Sequence, residues 1–277
     1  MNNKLVQVNA ILAAVILSLI SGPVFAQPSA NQLADEMLNK NAQWLSQVET
    51  MTMTMQLNEG SLIPEMTTRY VKKTGENGTP YLEIENKDAM EMDFSAMAGS
   101  ADQMVKLIRG ADSITRENLN GVETYRVFVN DRELLQSLDQ SEMEMEDMEI
   151  VFDRATIWME SGSLHIRQVV MEQTVNTDQE MKMTMNMDGY ESYSGYPVPM
   201  KMTMKIDGIA SQFSEEEIAE ARQAMREMEQ QLSQMPEAQR QAIERQIKPQ
   251  MEQFERMLES DEGMTMLMTV TDVRVNQ

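Results

Sequence analysis

Cysteine is absent from the chain, and histidine occurs once, as His165. Without cysteine there is no disulfide framework, so an exported chain must draw its stability from a sizeable core, and thiolate metal sites are excluded. A lone histidine on an apparent strand edge reads as a surface or packed residue rather than a catalytic base. Neither a phosphate-cradling glycine loop nor a G-x-S-x-G elbow occurs. The reading is therefore of a non-catalytic protein with no catalytic residue, no cofactor and no metal-ligand set. Basic residues are also scarce: 23 Lys and Arg stand against 45 Asp and Glu, a formal charge of -22. That balance repels nucleic acid and anionic membrane surfaces. The acidic run Glu142, Glu144, Glu146, Asp147, Glu149 lacks the spacing that wraps ligands around calcium, and reads as a solvated stretch.

Long apolar runs are missing too. Ala10 to Ile20 is too short for a membrane span, and no comparable run follows. Lys4 before it, Ser21-Gly22-Pro23 after it and then Val24-Phe25-Ala26 read as an export signal over residues 1–26, cleaved after Ala26. The expected mature chain has 251 residues (277 minus 26), one domain over 27–277, periplasmic in a cell with two membranes. With no cysteine at the cleavage site, it is not expected to carry a lipid anchor.

Methionine is what the chain has in excess, at 30 residues, much of it at every second position. The ladders are Met51-53-55, Met181-183-185-187, Met200-202-204 and Met264-266-268, with Thr, Lys, Asn or Gln mostly between. Alternate residues of a strand share a face, so each ladder is a half-buried antiparallel strand with its thioethers on one side. Between the ladders, strands are predicted over Glu65–Lys73, Tyr81–Asn86, Ser113–Leu119, Glu123–Asn130, Ala155–Glu160, Ile166–Thr174, Glu180–Asp188, Val198–Ile206 and Gly263–Val275. A helix is predicted over Ser29–Gln47 on the stripe Leu33, Met37, Leu38, Ala42, Leu45, and short ones over Ala101–Ile108 and Asp131–Leu138.

A helical hairpin is predicted at about 213–260. Ser214 with Glu217 is a capping box opening a helix whose apolar stripe is Ile218, Ala221, Met225, Met228 and Leu232. Pro236 starts a second, with Ile243, Ile247, Met251, Phe254 and Leu258 on its stripe and a kink at Pro249. Strands enclosing a hairpin give an α+β arrangement, a large antiparallel sheet with helices packed on one side.

Several stretches resemble the LolA-like family of exported lipoprotein and lipid carriers. Leu33 to Leu57 is similar to its opening helix and strand. Leu119-Asn-Gly-Val-Glu-Thr-Tyr-Arg-Val-Phe-Val129 resembles its Gly-x-x-x-Tyr-x-Val strand. Ile157-Trp158-Met159-Glu160, with Gly162-Ser-Leu164 and Arg167-Gln-Val-Val170, is similar to its Val-Trp-Ile-Asp…Gly-x-x-Arg hairpin. Tyr193-Ser-Gly-Tyr-Pro-Val-Pro199 resembles its proline turn. The resemblance implies a curved, half-open antiparallel β-barrel with helices as a lid over an apolar cavity that holds acyl chains.

On this reading Met53, Met55, Met183, Met185, Met202, Met204, Met266 and Met268 line the cavity. Met225, Met228, Leu232, Ile247, Met251 and Phe254 form the lid. The expected partners are lipid or lipoprotein acyl chains. Two other readings stand beside it: a Cu(I)-binding or oxidant-buffering protein, since thioethers are soft ligands, and an envelope module whose acidic hairpin docks a protein.

Overall fold

The computed structural model describes residues 27–57, 65–75, 78–85, 101–138, 150–175, 179–208, 215–233, 237 and 263–277. Four α-helices lie among them: α1 (Ala30–Trp44), α2 (Ala101–Arg109), α3 (Arg132–Leu138) and α4 (Glu215–Ser233). The strands are β1 (Thr50–Leu57), β2 (Met66–Thr74), β3 (Pro80–Ile84), β4 (Ser113–Leu119), β5 (Val122–Val129), β6 (Ile150–Glu160), β7 (Ile166–Val175), β8 (Gln179–Tyr193), β9 (Tyr196–Asp207) and β10 (Met264–Val275). None of the described helices is long and apolar enough to cross a membrane.

All ten strands form one antiparallel sheet, in the order β3-β2-β1-β10-β9-β8-β7-β6-β5-β4. Two meanders, β1 to β3 and β4 to β9, are joined by β10, the last strand in the chain. Its first half pairs with β9 (Met264↔Ile206 to Thr269↔Lys201). Its second half pairs with β1 (Met268↔Leu57 to Val275↔Met51). Just beyond, Asn276 fastens the chain to the α1–β1 junction. Its Oδ1 accepts from the backbone N–H of Glu49 and Thr50, at 2.7 and 3.2 Å, and its Nδ2 donates to the carbonyl of Gln47 at 2.8 Å.

The sheet is open, with β3 and β4 as its edges, and it curls. The reach of α1 shows the curl. Asn41 Nδ2 donates to the Pro80 carbonyl of β3 at 2.6 Å, while Lys40 Nζ donates to the Gly162 carbonyl at 3.5 Å and Trp44 lies 5.8 Å from His165, ring to ring. Gly162 and His165 sit in the turn between β6 and β7. In a flat sheet, strands so far apart in the order would be roughly 30 Å from one another, at about 4.8 Å per strand. One helix about 10 Å across touches both, so the sheet wraps around it. The stagger of β10 between its two neighbours is the shear that such curling requires.

Local chemistry explains α1. Ser29 caps it with a full capping box: Ser29 Oγ accepts from Gln32 N–H at 3.2 Å, and Gln32 Oε1 accepts from Ser29 N–H at 2.9 Å. Its buried stripe is Leu33, Ala34, Met37 and Asn41. This corrects the expected stripe at one place, because Ala42 is exposed and Asn41 is buried. The four-residue spacing from Leu33 and Met37 leads to Asn41, and its amide satisfies the Pro80 carbonyl of the edge strand there. Helix α2 packs on α1 and reaches β5, and α3 packs on β6.

The 54 residues between Gly208 and Gly263 (263 minus 208, minus 1) leave and return at one point, because Ile206 and Met264 are cross-strand partners. Both glycines have positive φ, +83° and +72°. A Cβ on Gly208 would collide with the Glu180 carbonyl oxygen, and one on Gly263 with the Ile206 carbonyl oxygen. Gly263→Ala is therefore expected to destabilise the fold by roughly 1–3 kcal/mol. Gly162, which has open space around its Cβ position, should tolerate alanine within about 0.5 kcal/mol. Urea unfolding of the two variants measures the contrast.

Candidate ligand-binding face

Directly paired residues of an antiparallel sheet point to the same side, so the registers place every methionine ladder on one common face. Met266, Met204 and Met185 form a row across β10, β9 and β8, and the row continues through Val169, Ile157, Val127 and Ile114. Leu57, Met268, Met202 and Met187 form the next row. Met264, Ile206, Met183 and Met171 form a third. On β1, Met55 lies between Met66 and Val270, and Met53 lies between Thr68 and Val273. All eight methionines expected to line a cavity thus share one side of the sheet. It is the side toward α1 and α2, whose Leu33, Met37, Met104 and Ile108 belong to the same apolar cluster.

Burial along this face is graded. Met55, Met185, Met202, Met204 and Met268 are buried, whereas Met53, Met183 and Met266 are half-buried. Other half-buried apolar residues gather at one end of the strands: Leu57, Met66, Met171, Ile206, Met264 and Phe152. From that end the chain runs into residues 58–64, 139–149, 176–178 and 209–262. A cleft of about 310 Å³ opens at the same end, lined by the ion-paired Arg154 and Glu172, by Lys182 and Asp207, and by inner-face Gln173 and Met181. The apolar rim thus borders charged walls.

Of the residues expected to form the lid, three lie among the described residues. On α4, Leu232 is buried and Met225 half-buried, but Met228 is 42% exposed. Nor does α4 pack on any described strand to the extent that α3 packs on β6. Met228 is thus the exposed member of the expected stripe, and the stripe of the second helix expected beside it lies outside the described residues. Ile247, Met251 and Phe254, the cap residue Ser214 and the acidic run at 142–149 lie outside the described residues.

Sequence reasoning underrated the cluster at the β6–β7 turn. His165 stacks on Tyr190 with ring centroids 4.4 Å apart, and the tilted Trp44 ring of α1 lies 5.8 Å from it. Tyr190 donates its hydroxyl to the Ile166 carbonyl at 2.6 Å, and burial holds its pKa well above the ordinary phenol value. The Arg167 guanidinium lies over the Tyr190 ring and donates to Glu160 Oε2 at 2.9 Å. His165 is thus a packed residue that ties α1 to the far wall of the curled sheet. Its visible signal was Trp44 one residue before Leu45 on a stripe already identified.

Burial lowers the His165 pKa, and the cations of Arg167 and Lys40 push the same way against the opposing Glu160. A depressed folded-state value means that the unfolded chain takes up the proton first. The contribution is intact above the unfolded value of about 6.5 and is lost as the pH falls through the folded value. His165→Gln should therefore flatten the stability profile between about pH 7.5 and 5.5 relative to the parent protein. Urea midpoints across that range read the difference.

No family model matches the chain, and no curated protein matches it. Among solved structures it is similar to a domain from Vibrio parahaemolyticus described as an outer membrane lipoprotein-sorting protein. The identity is 10% over 88% of this chain and 94% of that one, with a TM-score of 0.38. A DUF1329 family protein from Desulfovibrio piger is 10% identical over 90% of this chain and 94% of its own, with a TM-score of 0.41. A LolA superfamily protein from Nitrosomonas europaea is 7% identical over 88% and 94%, with a TM-score of 0.32. Scores this low leave function to the chain's own residues.

Proposed function

We propose that the protein is an exported, non-catalytic carrier or binding protein for lipid or lipoprotein acyl chains, held against the methionine face. The observation behind this reading is the continuity of that face. Thioether side chains from four neighbouring strands, β1, β10, β9 and β8, line one side of an open, curled sheet and become half-exposed toward one end. A monomeric soluble protein rarely leaves a contiguous apolar rim without a use for it.

Residue choice supports the reading. Under β5, β6 and β7 the same face carries Val127, Val129, Ile157, Val169 and Val175, all buried, beside Met159 and Met171. Those branched side chains are stiff and define one shape. Methionine is unbranched and adapts to whatever it touches, which suits guests of differing length. Each methylene moved from water into such an environment gains about 0.8 kcal/mol, so a partly inserted chain is held without any fixed polar contact. Release then falls to an acceptor with greater affinity.

Native mass spectrometry of protein purified from its own cell envelope is expected to show co-purifying acyl species. A fluorescent fatty acid should bind the emptied protein and be displaced by unlabelled chains. Protein that is empty on isolation and also rejects the probe would sink the reading.

A further inference from the structure

In the sequence, the methionines are scattered over strands far apart in the chain, which argues against a metal site. The registers remove that objection. Met185, Met204 and Met266 are direct cross-strand neighbours, and Met187, Met202 and Met268 form the row immediately beside them. These six thioethers come from three adjacent strands and point to one side. Directly opposed residues have Cβ atoms about 5 Å apart, and each Cβ carries two further bonds to its sulfur, so neighbouring sulfurs can close on one point. We propose that this grid is a binding site for a soft monovalent cation, Cu(I) or its redox-inert counterpart Ag(I).

Three observations carry the assignment beyond ordinary core packing. First, the row that begins with Met266, Met204 and Met185 continues as Val169, Ile157, Val127 and Ile114, branched residues that favour strands, so methionine replaces them in this row on β8 to β10. Second, the donor set is chemically selective. Neutral thioethers suit Cu(I) and discriminate against hard cations such as Mg²⁺ and Ca²⁺, which demand oxygen ligands. Third, the site has a way in. Met185, Met187, Met202, Met204 and Met268 are buried, whereas Met266 is half-buried and is the row's most accessible sulfur. A cation entering past Met266 meets the rest in register. A chain of formal charge -22 favours its approach.

Binding here is coordination alone: no bond in the protein breaks and no electron moves. It stands apart from acyl binding, because swapping methionine for leucine keeps an apolar face while removing the sulfur.

The test titrates the full mature protein with Ag(I), and with Cu(I) under anaerobic reductant, against a competing chelator. The parent protein is expected to retain a stoichiometric equivalent that the chelator does not remove. The Met185→Leu, Met204→Leu, Met266→Leu variant should lose that equivalent while remaining cooperatively folded, with a thermal midpoint close to the parent's. A control, Met225→Leu with Met228→Leu on α4, should retain it. If the triple variant misfolds, Met204→Leu and Met185→Leu taken singly should each weaken retention. Retention by the grid variants equal to the parent, loss in the α4 control, or weak nonstoichiometric uptake by every protein would each overturn the site. Failure of fatty-acid binding alone would overturn the carrier reading and leave this one standing.

Discussion

Met268→Asp is expected to leave the protein without a cooperative fold. Met268 has no exposed surface and sits where β10 pairs with both β1 and β9, between Leu57 and Met202. A carboxylate there either ionises without a partner or takes up a proton, and the effective penalty is several kcal/mol. The lost apolar contacts and the misfit add about 2–5 kcal/mol, the range for large-to-small changes in a core. Set against a total stability of about 5–15 kcal/mol, the sum is enough to unfold the chain. The adjacent position gives the control. Thr269 is exposed on the opposite face, directly across from Lys201, and Thr269→Asp should change stability by no more than about 0.5 kcal/mol. Circular dichroism and urea unfolding of the two neighbours separate face from sequence position.

Removal of residues 264–277 should have a comparable effect by another route. That segment contains β10 and the Asn276 clamp. Without it, β1 and β9 each present an unpaired ladder of backbone groups flanked by methionines. Exposed apolar edges of this kind template aggregation. The truncated chain is expected in the insoluble fraction, or as a soluble species with strand content but no cooperative transition. A synthetic peptide spanning 264–277, added during refolding, should restore the transition in proportion to its concentration, because it supplies the pairing to both edges. Deleting Gln277 alone, beyond Asn276, should change nothing measurable.

The strands were legible because a period of two with Thr or Lys between apolar residues has no helical counterpart. β4 and β10 agree with expectation to within a residue at each end. Ends were missed where the pattern lapses. β6 begins at Ile150 rather than Ala155, because a register shift between Phe152 and Arg154 breaks the alternation. β8 runs on to Tyr193 through Gly189, whose φ of +66° reads as a turn signal in sequence. What no pattern within a strand could disclose is the pairing. Whether Met204 stands beside Met185 and Met266 is settled by long-range register. The buried Asn41 was missed for a related reason, since its partner, the Pro80 carbonyl, belongs to a strand 39 residues away (80 minus 41). The candidate face was thus visible as four separate stripes, and only topology assembles them.

The position of β10 has a consequence for how the chain comes to be folded. Met51 pairs with Val275, 224 residues later (275 minus 51). As the polypeptide emerges from the ribosome, both meanders are complete long before their shared neighbour exists. Until then the edges of β1 and β9, and the greasy side between them, have no permanent partner. Contacts so distant in sequence slow folding, and in an interval without closure the nascent chain must be shielded or kept unfolded until β10 has emerged. Vectorial synthesis therefore cannot finish this sheet piece by piece; the two meanders join only on the arrival of a single late strand.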